Sequence, residues 1–469
     1  MGRAQSGCRP QIRPDGRFDF CSISTSRRFR KLKPCGIDSP STQLRTETYW
    51  ISSTDQVTIS SGVAEAMPEL LYLDTARLGL MSPRACRASV DFARFAGEYG
   101  ATLYLTDFLR DGFTSLPSGI RDRYSGLEDW LGVSSLRQSL RALSNAKCDS
   151  NVLVASRAAS LMKLAARLLV RPCHNILVTD LSWPAYDRIL RRAANNRGYK
   201  VTKLRVRRRI LKRHLTADEL TDNIATQFVR DGCDGLFLPL VDNLGVRLPV
   251  RRIVERLRNE AELRFVVLDA AQAYNHVPLN LASNYCDFVI AGCHKWLRAF
   301  TPMGVGFFGH PATADYIRDS TQRWMRQGAI DEPLMRFVDE LDGGACQRFG
   351  ETVSLSPLLT SNAAVIDALR NRESIEVTTD NERVLTSMAD SLGWRVLTPS
   401  NDLRSRIVLL QSPHESDRLA SPETIRRRFL NRSIALSAYT CGIVRVSLPS
   451  RPFSVDDCAA LQSALASTA

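Results

Sequence analysis

Long apolar runs are missing from this 469-residue chain. None approaches the ~18 consecutive residues that a membrane-spanning helix needs. No charged head followed by a short apolar stretch opens the sequence, so no secretory signal is expected and a cytoplasmic location is. The 12 cysteines never occur as CxxC and are never paired with histidine at metal-finger spacing. That pattern argues against a zinc ribbon or a disulfide-stapled domain, and leaves reduced, mostly buried thiols and no metal site as the expectation. Internal repeats and low-complexity tracts are also lacking outside the N-terminal region.

What is present is ordinary for a globular protein: 44% hydrophobic and 24% charged residues, in a chain long enough for about two or three domains. The net charge of +14 is unevenly placed. Residues 1–36 hold nine basic side chains (Arg3, Arg9, Arg13, Arg17, Arg27, Arg28, Arg30, Lys31 and Lys33) against Asp15 and Asp19. Residues 1–66 therefore read as a basic, disordered extension, with Met67 as an alternative start just before the first globular segment. Charge concentrated in a tail disfavours nucleic acid as the partner of the folded part. A second basic cluster, KLRVRRRILKR at 203–213, alternates Arg with apolar residues and predicts a solvated edge strand.

From about residue 67 short apolar runs alternate with longer amphipathic stretches. NVLVAS (151–156), NILVTD (175–180), GLFLPLV (235–241), FVVLDA (265–270), DFVIAG (287–292) and VGFFG (305–309) read as strands buried on both faces. RAASLMKLAARLL and PVRRIVERLRNEAEL, between them, read as helices. The βαβα order predicts an α/β fold: a large three-layer αβα domain with a mostly parallel sheet over 67–335, and a smaller C-terminal α+β domain over 336–469.

Ligands of open α/β sheets bind beyond the carboxyl ends of the strands. Several runs end there in usable chemistry: Ser156 and Arg157; Asp180 and Trp183; Asp269 and Gln272; His294 and Lys295. A lysine in the apolar sequence AGCHKW needs a reason, because lysine is almost never buried without one. A lysine for an imine, a carboxylate for a ring nitrogen, an aromatic plane and a helix start for a phosphate are the parts a pyridoxal phosphate site requires.

DAAQAYNHVPLNL, then CDF, then HKW, with Asp269 26 residues before Lys295, resembles the class V aminotransferase family of fold-type I pyridoxal-phosphate enzymes. That family also holds cysteine desulfurases, kynureninases and isopenicillin N epimerase. The resemblance implies that Lys295 forms the Schiff base and acts as general base, and that Asp269 pairs with the pyridinium nitrogen. Gln272 then bonds the phenolic oxygen, Trp183 stacks on the ring, and His294 lies at the cofactor. LLYLDTARLGLMSP (70–83) places Ala76 and Arg77 near substrate, and PLVDNLGVRLPV places Asp242, with Asn243 next to it, by the cofactor. IVRVSLP makes Arg445 the receptor of the substrate carboxylate. Ser156, Arg157 and Ala158 form the phosphate loop, and Thr352 in RFGETVS is a further phosphate contact supplied by a partner subunit in a homodimer.

Two departures bear on the reaction. The family's Ser-x-His-Lys turn is Gly292-Cys293-His294-Lys295 here, so its serine hydroxyl is missing; Cys293 is a small residue expected to fill a tight turn, and Arg157 is expected to substitute charge for the lost hydroxyl contacts. Only SAYTCGIV separates IAL from Arg445, too short for a mobile cysteine loop, so Cys441 reads as a buried structural thiol and desulfuration is disfavoured. The expected function is an aminotransferase acting on an amino acid. A lyase, epimerase or desulfurase of the same family, or a non-catalytic binding protein with a basic tail, are the alternatives.

Overall fold

A computed structural model describes residues 70–100, 106–147, 151–213, 215–342, 351–371 and 375–467. The basic extension over 1–66, and Met67, lie outside the described residues. The strands, in chain order, are β1 (Leu71–Tyr72), β2 (Val152–Ala155), β3 (Asn175–Thr179), β4 (Lys200–Leu204), β5 (Gly235–Pro239), β6 (Phe265–Asp269), β7 (Phe288–Gly292) and β8 (Gly304–Phe308). They continue with β9 (Arg395–Val396), β10 (Ile407–Gln411), β11 (Ile434–Ala435), β12 (Ser437–Tyr439) and β13 (Ile443–Ser447).

Seven of them form one sheet in the order β2-β8-β7-β6-β5-β3-β4. The pairings from β4 to β7 are parallel, and β8 is antiparallel to both of its neighbours, β7 and β2. Alternation at period two divides the strand residues between two cores. Val266, Leu268, Val289 and Val305 pack with the helices Pro83–Tyr99, Ala217–Arg230, Val250–Glu260 and Ser356–Arg370 on one face. Phe265, Val267, Phe288 and Ile290 pack with Ala158–Leu169, Pro184–Asn195 and Pro311–Arg326 on the other. Two covered faces explain why these strands are apolar throughout, and they give the three-layer α/β architecture.

A second, antiparallel sheet runs β12-β13-β10-β9, with Leu385, Ile425, Phe429 and Leu461 of the flanking helices packed on Val408, Leu410, Val444 and Val446. The expected division at residue 335 is crossed twice. β1 pairs in parallel with β11, and Leu71 and Leu73 sit in the core of the smaller sheet. Leu358, Leu359 and Val365 of the Ser356–Arg370 helix sit in the core of the larger one.

The strand expected over 203–213 is corrected. β4 does end the sheet as an edge strand, but it stops at Leu204, and Arg207–Arg213 is helical. Val206 and Ile210 are both fully buried, four residues apart, which is helical rather than strand spacing. Asp180, at the end of β3, accepts the N–H groups of Val206 (2.9 Å) and Arg207 (3.0 Å) and so caps the start of this helix.

Candidate active site at the carboxyl ends of the central strands

β7 ends in a turn that carries His294 and Lys295. Cys293 N–H donates to Met303 O, Ala299 N–H to Cys293 O and Arg298 N–H to Lys295 O. The turn closes through Arg298 and Phe300, both left-handed with φ of 65° and 61°. Gly79 lies against it: its N–H donates to His294 O at 2.8 Å, and a Cβ there would fall 2.0 Å from Lys295 O. Only glycine allows the segment after β1 to approach so closely.

The Lys295 amine has no hydrogen-bond or ion-pair partner among the described residues. Burial pushes it below its ordinary value, the Arg445 guanidinium adds to that depression, and the Asp269 carboxylate opposes it. Asp269, the last residue of β6, is buried. Burial raises its carboxyl, while the Ala271 N–H, 2.9 Å from Oδ1, and Lys295 pull the other way. Lys295, Asp269 and Arg445 thus act on one another. His294 is held down to about 4 by burial and by Lys295, so it is neutral at neutral pH. The Cys293 thiol is pushed up to about 12 by burial and stays protonated.

Gln272 is buried with its amide engaged at both ends: Nε2 donates to Ala76 O (2.7 Å) and Oε1 accepts from the Trp296 indole N–H (2.8 Å). Trp296 in turn stacks on His276, with ring centroids 3.7 Å apart and planes 9° apart. His276 Nε2 accepts from Arg406 N–H (3.0 Å), which leaves its proton on Nδ1, facing Gln272 O at 2.5 Å. Ala76 N–H donates to Ser447 Oγ at 3.0 Å, so this chain of contacts ties the Lys295 turn to both sheets.

The remaining expected residues fall as follows. Trp183 immediately precedes the Pro184–Asn195 helix, and the residue is 49% exposed. Asp242 is buried and turns Oδ1 onto Leu244 and Val246 N–H (2.9 Å each), and burial raises its carboxyl to about 6. The Asn243 carbonyl accepts from Arg445 Nη1 at 3.2 Å. Arg445 is itself buried, its Nη2 donating to Asp74 Oδ1 and Ser437 Oγ, both at 3.1 Å. Arg77 is exposed and borders a cavity of about 300 Å³ with Tyr72, Asp74 and Arg426. Thr352 is exposed. Cys441 is exposed in the three-residue turn between β12 and β13, with φ of 64°, which corrects the expected burial but keeps the connection short.

Ser156, just past β2, donates its N–H at 2.7 Å and its hydroxyl to one oxygen of Glu332, a residue with no mark in the sequence. Arg157 caps the following helix without a side-chain bond and is exposed, and Ala158 is buried. Four buried polar atoms without partners among the described residues sit at or just past the ends of β3, β5 and β7: Thr179 Oγ1, Ser182 Oγ, Asp242 Oδ2 and His294 Nδ1. Buried polar atoms are normally satisfied, so their concentration at one edge of the sheet points to a polar ligand.

Residues 126–323 match the family model for class-V aminotransferases. Over those residues the chain is similar to class-V aminotransferases. Among curated proteins, isopenicillin N epimerase of Amycolatopsis lactamdurans is 41% identical over 71 residues, a match covering 15% of this chain and 17% of the epimerase. Ureidoglycine-glyoxylate aminotransferase of Bacillus subtilis shares the fold with a TM-score of 0.59 at 15% identity, covering 85% of this chain and 94% of that one. A C-DES variant solved with glycine covalently linked to its pyridoxal phosphate cofactor has a TM-score of 0.59 at 15% identity, covering 86% and 97%. Their common fold with this chain is the three-layer α/β architecture described above.

Proposed function

We propose that the chain is a pyridoxal-phosphate enzyme acting on an amino acid, an aminotransferase, with Lys295 as the residue that carries the cofactor. The observation that carries this reading is the half-buried Lys295 amine, without a partner among the described residues and held in the electrostatic field of the buried Asp269 carboxylate. The residues present fit the group. Lys295 offers an amine, Asp269 an anion for a cationic ring N–H, and Ser156 two donors at a helix start suited to an oxyanion. The unpartnered Nδ1 of His294 offers one more polar contact.

When bound, pyridoxal phosphate supplies an electron sink for negative charge developing at the substrate Cα. The chain's own residues do the rest. Lys295 is poised to take and return the Cα proton, because a depressed amine is available in its neutral form. Asp269 keeps the ring nitrogen protonated. Arg445 receives the substrate carboxylate once that group displaces Asp74 from its guanidinium. Trp183, an exposed residue, is available to cover the cofactor face. Gln272 orients Trp296 and Ala76 around the lysine turn. A homodimer, with Thr352 serving the partner's site, belongs to the same proposal.

The epimerase relative favours a second reading, in which the Cα proton is returned on the opposite face. Purified chain supplied with pyridoxal phosphate should show a visible absorption band that Lys295→Ala lacks and that borohydride removes. A colourless wild type after reconstitution contradicts the proposal. An aminotransferase would lose the band on adding its amino acid alone, whereas an epimerase would keep it and racemise the amino acid.

A further inference from the structure

The Ala158–Leu169 helix opens on an anion seat that already holds an anion. One Glu332 oxygen accepts both the Ser156 N–H, at 2.7 Å, and the Ser156 hydroxyl. Glu332 is only 3% exposed and has no cationic partner among the described residues. A carboxylate buried without a counter-charge is strongly disfavoured unless donors and an oriented dipole offset it. Here the offset comes from Ser156 and from the positive end of a 12-residue helix.

A second observation marks the same place. A Cβ built on Gly292 would lie 3.4 Å from His294 Nδ1 and 3.8 Å from the Cβ of Ala158, so the imidazole and the first residue of the helix both border Gly292. That Nδ1 is buried and has no partner among the described residues. At the start of this helix a carboxylate has taken two donors, while across Gly292 a polar atom is left unsatisfied. Gly304 packs so closely that a Cβ there would fall 2.5 Å from the Arg157 carbonyl carbon and 2.6 Å from Ala158 N, which walls the seat on the side of β8.

We propose that Glu332 is the resident anion of the phosphate seat: its carboxylate holds the Ser156 donors in the free chain and competes with an incoming phosphate. This rests on the cofactor reading above. Glu332 thereby sets how tightly the chain takes phosphorylated ligands, without touching the end of the site at Lys295 and Asp269. Its position favours such exchange, because it directly precedes the Pro333–Asp342 helix and its carbonyl accepts Arg336 N–H at 3.1 Å. The backbone is thus pinned while the side chain can turn.

The test titrates full-length wild type and Glu332→Gln with inorganic phosphate, pyridoxal phosphate and unphosphorylated pyridoxal, following heat of binding and visible absorption. Glu332→Gln keeps an acceptor for Ser156 and removes the charge. It is expected to bind inorganic phosphate and pyridoxal phosphate at least about tenfold more tightly than wild type, with pyridoxal affinity unchanged. Equal or weaker phosphate affinity, or an equal gain for pyridoxal, overturns the proposal. A gain for inorganic phosphate in a chain that takes neither pyridoxal compound supports the seat while contradicting the cofactor reading. Glu332→Asp, which withdraws the charge by one methylene, carries the same comparison if the glutamine variant does not fold, with a gain of about threefold expected and no gain overturning the proposal.

Discussion

Arg445 and Asp74 form a buried ion pair, Nη2 to Oδ1 at 3.1 Å, across 371 positions of sequence. It joins β13 to the segment that follows β1, and Ser437 Oγ completes it with a 2.6 Å bond to the same carboxylate oxygen. Replacing Asp74 with Ala strands a buried guanidinium and should destabilise the chain by about 3 to 5 kcal/mol in denaturant melts. Asp74→Asn keeps an acceptor and should lose less. In the proposed enzyme it should also lower KM for the amino acid, since the substrate carboxylate no longer competes with a charged neighbour.

Gly79→Ala tests the approach of the 74–79 segment to the lysine turn. A methyl 2.0 Å from Lys295 O forces the backbone apart. The expected loss is about 1 to 3 kcal/mol or more in melting experiments, as for overpacking elsewhere. Unchanged stability would show that the segment moves away freely.

Trp296→Phe removes the indole N–H that Gln272 Oε1 accepts, leaving a buried acceptor unsatisfied while keeping an aromatic ring on His276. A loss of about 1 to 3 kcal/mol is expected from denaturant midpoints. In the proposed enzyme the freed amide would then reach the cofactor, and the position of its visible band should shift.

Acid stability should carry two opposed contributions. His294 binds its proton near pH 4 in the folded chain against 6.5 unfolded, so the unfolded chain holds more protons in that window and stability falls as pH drops from 6.5 to 4. His276, depressed by burial and then by Arg406, acts in the same direction. Asp242 is raised from 3.8 to about 6, so the folded chain holds more protons there and stability rises as pH drops from about 6 to 3.8. Each contribution is at most about 3 kcal/mol. Melts between pH 7 and 4 should show a steeper acid loss in Asp242→Asn and a shallower one in His294→Asn.

Much of this was legible in the sequence, for identifiable reasons. Strands β2, β3 and β5 to β8 announce themselves because burial on both faces requires continuous apolar runs, and Lys295 stands out as a charge just past one; the edge strand β4, KVTKL, carries no such run. The Arg207–Arg213 helix did not, because Val206 and Ile210 are two apolar residues in a basic stretch, and their period shows only once both are known to be buried. Glu332 and Asp74 were invisible for a different reason. Each meets its partner across a long stretch of chain, 176 residues to Ser156 and 371 to Arg445, and nothing local marks a carboxylate that will be buried. Gln272 was found as a residue of the site, yet its two bonds go to Ala76 and Trp296, which only the packing of the two sheets could show.

The central claim is tested most directly by reducing the pyridoxal phosphate-loaded chain with borohydride, digesting it and locating the added mass. The account predicts a single modified peptide with the pyridoxyl group on Lys295, and none in Lys295→Ala. A modification elsewhere, or no modification in a folded wild type saturated with the cofactor, would contradict it.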